Sequence, residues 1–331
     1  MEYHNLSGSG VRISRLGLGT ATFGVAPTVA ESADVIASAL DSGINYIDTA
    51  NSYGNQARFD REGAPSAAQR ESAEELVGAA LAGRRDDVVL ATKVSEAVVS
   101  GPNGGGFGGG GLSRYHIMRQ VEASLRRLRT DHIDIYYAHH SDPLTDIEDT
   151  LTTFDDLIQQ GKIRYYALST YAGWQLTEAV LTARRLGLRP PICHQTRYSL
   201  AKRYVEGEVL PAANRLGIST VAFSPLAGGL LAGAGAGRRY AGEARWGGRG
   251  FSEQELTLAD SLAERAADWG FEGSNVALAW LLSRPGLACA IVGPESKDEL
   301  AALAPAVDLD LSTEQLTELE ALGTAPSGLW D

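Results

Sequence analysis

Four side chains able to move a proton at a carbonyl stand just past the ends of successive strand-like runs. They are Asp48 and Tyr53 in NYIDTANSYG, Lys93 in VVLATKV and His139 in DIYYAHH. A phenol is a poor acid at neutral pH because its ordinary pKa is about 10. A neighbouring ammonium favours phenolate and turns the phenol into a usable proton donor. A carboxylate can hold that ammonium in place, and an imidazole can orient a carbonyl oxygen. The set suits reduction of C=O, provided a hydride donor lies beside it. Lysine usage sharpens the point: Lys93, Lys162, Lys202 and Lys297 are the only lysines, and every other basic residue is arginine. Guanidinium cannot replace a compact ammonium beside a phenol. Singly, each residue has a bland reading as a strand-end lysine, a core histidine or a buried tyrosine. At equivalent places in adjacent units they point to a site.

The elements that must position them alternate along the chain. Strands are expected near 16–21, 44–48, 88–92, 133–138, 163–168, 191–195, 218–223 and 288–292. Amphipathic helices are expected at 28–42, 72–82, 113–128, 147–160, 174–186, 205–216 and 255–268, with another near 297–304. Eight β-then-α units without a composition break predict one α/β domain over residues 1–331, a (β/α)8 barrel rather than two domains. A β-hairpin turning at Ser7–Gly10 is expected to plug the barrel bottom. NVALAWLLSRP (275–285) and the Ser312-capped stretch LSTEQLTELEAL are read as extra C-terminal helices. Barrel active sites form from loops at the carboxyl ends of the strands, where the four residues lie.

Three such loops are long: 54–71, the glycine run at 101–111, and 227–252. The glycine run lacks the GxxxxGK[ST] spacing of a phosphate-binding loop, so a flexible rim is expected there. The third loop holds Arg238 and Arg239, candidates for phosphate contact. Trp174, Trp246 and Trp330 are candidate walls.

Composition excludes several classes. A net charge of −12 and a pI near 5 argue against nucleic acid or an anionic membrane as the main partner. No run of 18 apolar residues and no basic-then-apolar start appear, which makes the cytoplasm the expected location. Cys193 and Cys289, isolated in apolar runs, read as reduced core thiols. His132 and His140 are read as structural or surface residues. HHSD could suggest a metal, but side chains alternate along an extended strand, so His139 and His140 are expected to diverge. No metal is expected.

At these residues the chain resembles the aldo-keto reductase superfamily. The resemblance spans roughly Tyr3 to Leu322, through SRLGLGTATFG, GINYIDTANSYG, ATKV, ASLRRLRTDHIDIYYAHHSDP, LIQQGKIRYYALST, HQTRYSL, AFSPLAGGLL and AIVGPESKDEL. It implies a nicotinamide dinucleotide held extended at the C-terminal rim without a Rossmann fold. It also implies Tyr53 as general acid, Lys93 and Asp48 as its tuning pair, and His139 orienting a small-molecule carbonyl substrate.

The cofactor contacts implied by the same resemblance are also specific. Gly19 and Thr20 belong to them, and Ser169 and Gln195 stand where the carboxamide would be bound. Thr170 replaces a usual asparagine, and Phe223 takes the aromatic position that stacks on nicotinamide. Ser224, Leu226 and Gly228 match the pyrophosphate loop, whereas Ala234 stands where a basic residue often follows. Gly293, Glu295, Lys297 and Glu299 fall at the adenosine end, with Leu303 in place of a common asparagine. Glu295 occupies the place of an arginine that meets the 2′-phosphate in many relatives, which favours NAD(H). Ser296, Lys297 and the habit of the family favour NADP(H), which is put first.

The leading expectation is an NAD(P)H-dependent reductase of an aldehyde or ketone, with a keto-sugar or polycyclic ketone as a candidate substrate. Alternatives are a cofactor-binding regulatory subunit, as in relatives attached to potassium channels, and a metal-dependent hydrolase using His139, His140 and Asp142.

Overall fold

Two short strands, β1 (Tyr3–Asn5) and β2 (Arg12–Ser14), pair as an antiparallel hairpin. Its apolar residues Leu6 and Ile13 are fully buried inside the barrel. Ser7 ties the turn down, its Oγ donating to Ile192 O at 2.7 Å and its N–H to Ser219 Oγ at 2.6 Å. The hairpin therefore plugs the barrel bottom as expected. The computed structural model describes all residues except 58, 59, 61, 62, 99, 107–110, 234–249 and 324–331.

Eight parallel strands follow: β3 (Leu16–Gly19), β4 (Tyr46–Asp48), β5 (Val89–Val94), β6 (Ile133–Ala138), β7 (Ile163–Ser169), β8 (Cys193–Arg197), β9 (Ser219–Phe223) and β10 (Leu287–Val292). They pair in sequence order, and β10 closes the ring by pairing with both β9 and β3. Around them lie α1 (Val29–Asp41), α2 (Ala73–Ala80), α3 (Arg114–Leu128), α4 (Ile147–Gln159), α5 (Gly173–Arg185), α6 (Val209–Leu216), α7 (Glu253–Asp268), α8 (Gly273–Leu282), α9 (Lys297–Leu303) and α10 (Thr313–Leu322). This is a (β/α)8 barrel with an N-terminal hairpin and extra C-terminal helices.

Sequence periodicity explains both layers of the core. In α4 the buried residues Thr150, Leu151, Phe154 and Leu157 recur at helical spacing and form one stripe. Truncating a buried ring such as Phe154 to alanine costs about 3–5 kcal/mol. Every residue of α8 is buried, which accounts for an apolar run with no polar face. Reciprocal caps start α2, α7 and α10, where Ser72, Ser252 and Ser312 accept from the backbone three residues on. Within the strands, alternate residues face the helices or the barrel axis. Tyr136 and Ala138 join the outer core, while Ile135 and Tyr137 fill the interior. At Gly17 the neighbouring Tyr46 leaves no room for a side chain: a Cβ there would lie 2.6 Å from the Tyr46 ring.

One expected helix is interrupted. Residues 205–216 form a short 3-10 turn at Tyr204–Glu206 and then α6, starting at Val209. Between them Glu208 turns aside, and its carboxylate accepts from Trp174 N at 2.7 Å, capping α5. Lys93 is also not the residue after β5, as expected, but lies within that strand.

Candidate active site

Inward alternation sets out the upper rim of the barrel. Tyr46, Ala91, Tyr137, Ala167, Cys193 and Val221 fill its interior. Two residues further along stand Asp48, Lys93, Ser169, Gln195 and Phe223 within their strands, and His139 one residue past the end of β6. Side chains two apart on a strand share a face, so the residues closing the core and those of the site belong to one set.

Lys93 is fully buried and donates through Nζ to Asp48 Oδ1, to Thr49 O at 2.9 Å and to Tyr53 Oη at 3.3 Å. Burial alone works to lower its pKa, but the Asp48 carboxylate and Tyr53 outweigh that, and the net shift is upward. The ammonium therefore stays charged. Asp48 Oδ2 accepts from Gln195 Nε2 at 2.7 Å and from the Tyr46 hydroxyl at 3.5 Å. Behind it, Tyr46, Tyr137 and Cys193 form a polar ladder with separations of 2.9 and 3.0 Å. Burial raises both tyrosines well above the ordinary phenol value and pushes the Cys193 thiol up to about 12, so all three stay neutral. Both cysteines are free and buried.

Tyr53 is half-buried and faces the cavity. Its Oη lies 3.5 Å from His139 Nε2, and the rings meet edge to face with centroids 5.8 Å apart. One phenol oxygen thus has an ammonium on one side and an imidazole on the other. The four residues singled out from the sequence come together.

The cavity above them, of about 640 Å³, runs from this cluster to α9. Its wall includes Gly19, Thr20, Ser169, Thr170, Gln195, Phe223, Ser224, Leu226, Gly228, Gly293, Glu295 and Glu299. Ser169 Oγ is buried without a partner among the described residues, an orphaned hydroxyl at the cavity wall. Lys297 is the exception. It is exposed on the first turn of α9 and is not among the wall residues. Ser296, before it, accepts from Glu299 N at 3.1 Å, and Glu299 in turn accepts from Glu295 N at 2.8 Å. Thr170 has a positive φ of 57°, unfavourable for a β-branched side chain.

Several expectations are corrected. His139 and His140 do not diverge: their rings stack at 4.7 Å with planes 7° apart. Because β6 ends at Ala138, strand alternation no longer governs the next two residues. Both histidines line the cavity, together with Glu96, which the sequence reading passed over. Its signal was its place three residues beyond Lys93, at a strand end like the others. Asp142 is turned away, accepting from Leu112 N, Leu144 N and Thr145 Oγ1 at 3.0, 3.0 and 2.8 Å. Gln195 turns its amide nitrogen to Asp48. Trp174 is 62% exposed and outside the cavity wall. Of loop 54–71, residues 55–57 line a separate cleft against α3, and the described part of 101–111 is absent from the cavity wall. Ala234, Arg238, Arg239, Trp246 and Trp330 lie outside the described residues, as do 107–110 of the glycine run.

Comparison with known proteins agrees with this geometry. The profile of the Aldo/keto reductase family matches residues 15–324. The chain is 39% identical to the uncharacterized oxidoreductase YrpG of Bacillus subtilis, covering 99% of this chain and 98% of that protein. It is 32% identical to a probable voltage-gated potassium channel subunit beta of Oryza sativa, over 97% of this chain and 96% of the other. It is 28% identical to L-glyceraldehyde 3-phosphate reductase of Escherichia coli, over 97% and 92%. The chain belongs to the aldo/keto reductase family and is an oxidoreductase of carbonyl substrates.

Proposed function

We propose that the chain is a single-domain reductase of an aldehyde or ketone that uses a nicotinamide dinucleotide. The observation that carries the reading is the Lys93 ammonium 3.3 Å from the Tyr53 hydroxyl, at the floor of a cavity that runs from this pair to α9. Tyr53 hands its proton to the carbonyl oxygen, Lys93 stabilises the phenolate left behind, and Asp48 keeps Lys93 charged. His139 orients the oxygen through Nε2. When bound, the nicotinamide supplies hydride to the carbonyl carbon.

The wall residues suit that cofactor. Ser169 Oγ, buried without a partner among the described residues, and Gln195 would hold the carboxamide, with Thr170 beside them. Phe223 would stack on the ring, with Gly19 and Thr20 bordering it. Ser224, Leu226 and Gly228 would follow the pyrophosphate, and Gly293, Glu295 and Glu299 the adenosine. Between the two forms of cofactor, the family pattern puts NADP(H) ahead of NAD(H), and the Glu295 carboxylate in the wall opposes a 2′-phosphate. Lys297, exposed on the first turn of α9, would stand at the rim beside the adenosine end rather than in the wall. Cytoplasmic location is part of the proposal; no helix among the described residues is long and apolar enough to cross a membrane.

The test is a panel of carbonyl compounds, keto-sugars and polycyclic ketones included, assayed with NADPH and with NADH by loss of reduced-nicotinamide absorbance. Turnover with members of the panel is expected. A second reading, a cofactor-binding regulatory subunit, draws on the rice relative named as a channel subunit. Tight cofactor binding without turnover of any carbonyl would favour it.

A further inference from the structure

Glu96 reaches the cavity wall from a strained stretch of chain. β5 ends at Val94, and Ser95 after it has a φ of 147°, a backbone conformation uncommon outside glycine. Strain of this kind persists only where the surrounding structure enforces it, and it collects at functional sites. Ser95 Oγ accepts from His140 N at 3.2 Å, which ties together the chain ends that follow β5 and β6. Glu96 Oε1 lies 2.9 Å from His140 Nε2 and 4.0 Å from His139 Nδ1. Both Glu96 and His140 line the cavity, with side chains 20% and 41% exposed. The carboxylate therefore stands across one imidazole ring from the His139 Nε2 that faces Tyr53.

Hydrogen counting shows what this wall offers. Thr170 Oγ1 lies 2.6 Å from His139 O and 2.7 Å from Ser169 O, so its one proton goes to a carbonyl. The contact of 2.7 Å between Oγ1 and His140 Nδ1 is then donated by the histidine. With Nδ1 protonated, Nε2 and the carboxylate would both be acceptors at 2.9 Å, so a further proton lies between them. Whichever partner holds it, the pair carries no net charge. Both ring nitrogens of His140 are thereby committed, and what the pair presents to the cavity is carboxyl oxygen. A carboxylate has about four lone-pair positions, of which His140 takes one. An acceptor without net charge suits a hydroxyl. An ammonium would find no charge to answer its own, and an anion would meet only lone pairs.

We propose that Glu96, held by His140, is a specificity-determining residue that accepts a hydrogen bond from a hydroxyl on a carbon near the substrate carbonyl. The substrate class is then an uncharged, hydroxylated aldehyde or ketone of the sugar kind. The inference rests on the reductase reading for the place of the carbonyl, between Tyr53 Oη and His139 Nε2. A site built to bind a substrate hydroxyl rejects the analogue that lacks it, most strongly when dry; for a half-open wall the factor is roughly tenfold.

Glyceraldehyde with propanal, and hydroxyacetone with acetone, are matched pairs that differ in hydroxyl groups. kcat/KM is measured for each in the wild type, Glu96→Gln and Glu96→Ala. The readout is the ratio within a pair, so intrinsic reactivity and any general loss of activity cancel between proteins. The ratio is expected to fall roughly tenfold in Glu96→Ala, mainly through KM. It should fall less in Glu96→Gln, whose amide oxygen still accepts. An unchanged ratio in Glu96→Ala would overturn the assignment. So would a wild-type preference for an aldehyde that carries a carboxylate or an ammonium in place of the hydroxyls. Saturation-transfer NMR of glycerol against 1-propanol needs no turnover: stronger transfer to glycerol is expected in the wild type and lost in Glu96→Ala. If no carbonyl is reduced while that difference is present, the reductase reading fails and the hydroxyl site stands. Turnover of carbonyls with an unchanged ratio would remove the site and leave the reductase reading intact.

Discussion

Replacing Asp48 with asparagine removes the charge opposite an ammonium that has no contact with solvent. Lys93 is fully buried, and the Asp48 side chain is 5% exposed. At an effective dielectric near 20 and a separation of about 3 Å, the lost attraction is roughly 5 kcal/mol. Thr49 O and Tyr53 Oη remain as neutral partners, while the new amide can place an NH2 against Gln195 Nε2. The net loss expected is about 3–5 kcal/mol, as for other buried pairs broken on one side. For a chain of this length that is a fall in Tm of roughly 4–7 °C. Lys93→Met should cost a comparable amount, since it leaves a carboxylate buried. The double variant should lie within about 2 kcal/mol of the wild type, because neither charge remains to be solvated.

Urea unfolding at pH 7 measures all four proteins, compared through midpoints at equal slope. The sign with pH is also set. In the wild type the raised Lys93 pKa contributes stability that is complete below the unfolded value near 10.4, and is lost as pH rises through the folded value. In Asp48→Asn burial, the largest influence, would be opposed only by Tyr53, and the shift is expected to become downward. The penalty in that variant should therefore shrink as pH rises from 6 to 9. Strictly additive losses in the double variant would refute the coupling and with it the buried pair.

His194 is buried, and its Nε2 accepts from Tyr171 N at 3.3 Å; burial lowers its pKa to about 4. The unfolded chain binds this proton first, so stability should fall as pH drops from about 6.5 to about 4, by about 3 kcal/mol in all. Urea midpoints across that window should be flatter in His194→Gln, and parallel curves would contradict the assignment. Glu295→Arg should shift the ratio of NADPH to NADH affinity toward NADPH by roughly tenfold, about 1.4 kcal/mol, by fluorescence titration. An unchanged ratio would show that residue 295 does not meet the adenosine end.

The legible part of this site is the part governed by strand periodicity. Asp48, Lys93, Ser169, Gln195 and Phe223 lie within strands, where inward facing follows from the two-residue repeat. The barrel was legible for the same reason, together with the amphipathic helices between strands. What escaped lies where the chain leaves regular structure. His140 follows the end of β6, and its ring is set by Glu96 and Thr170 rather than by alternation. The direction of the Gln195 amide depends on Asp48, which is 147 residues away in sequence. The break before α6 reflects a cap supplied to a different helix, a tertiary demand that overrides the local helical pattern.

In the proposed mechanism Tyr53 supplies the proton as carbonyl is reduced. Single-turnover oxidation of bound reduced nicotinamide by a carbonyl substrate, followed by stopped-flow in wild type and Tyr53→Phe, tests it most directly. A rate lower by about 10²–10⁴ is expected in Tyr53→Phe, with cofactor affinity within a few-fold of wild type. An undiminished single-turnover rate in that variant would contradict it.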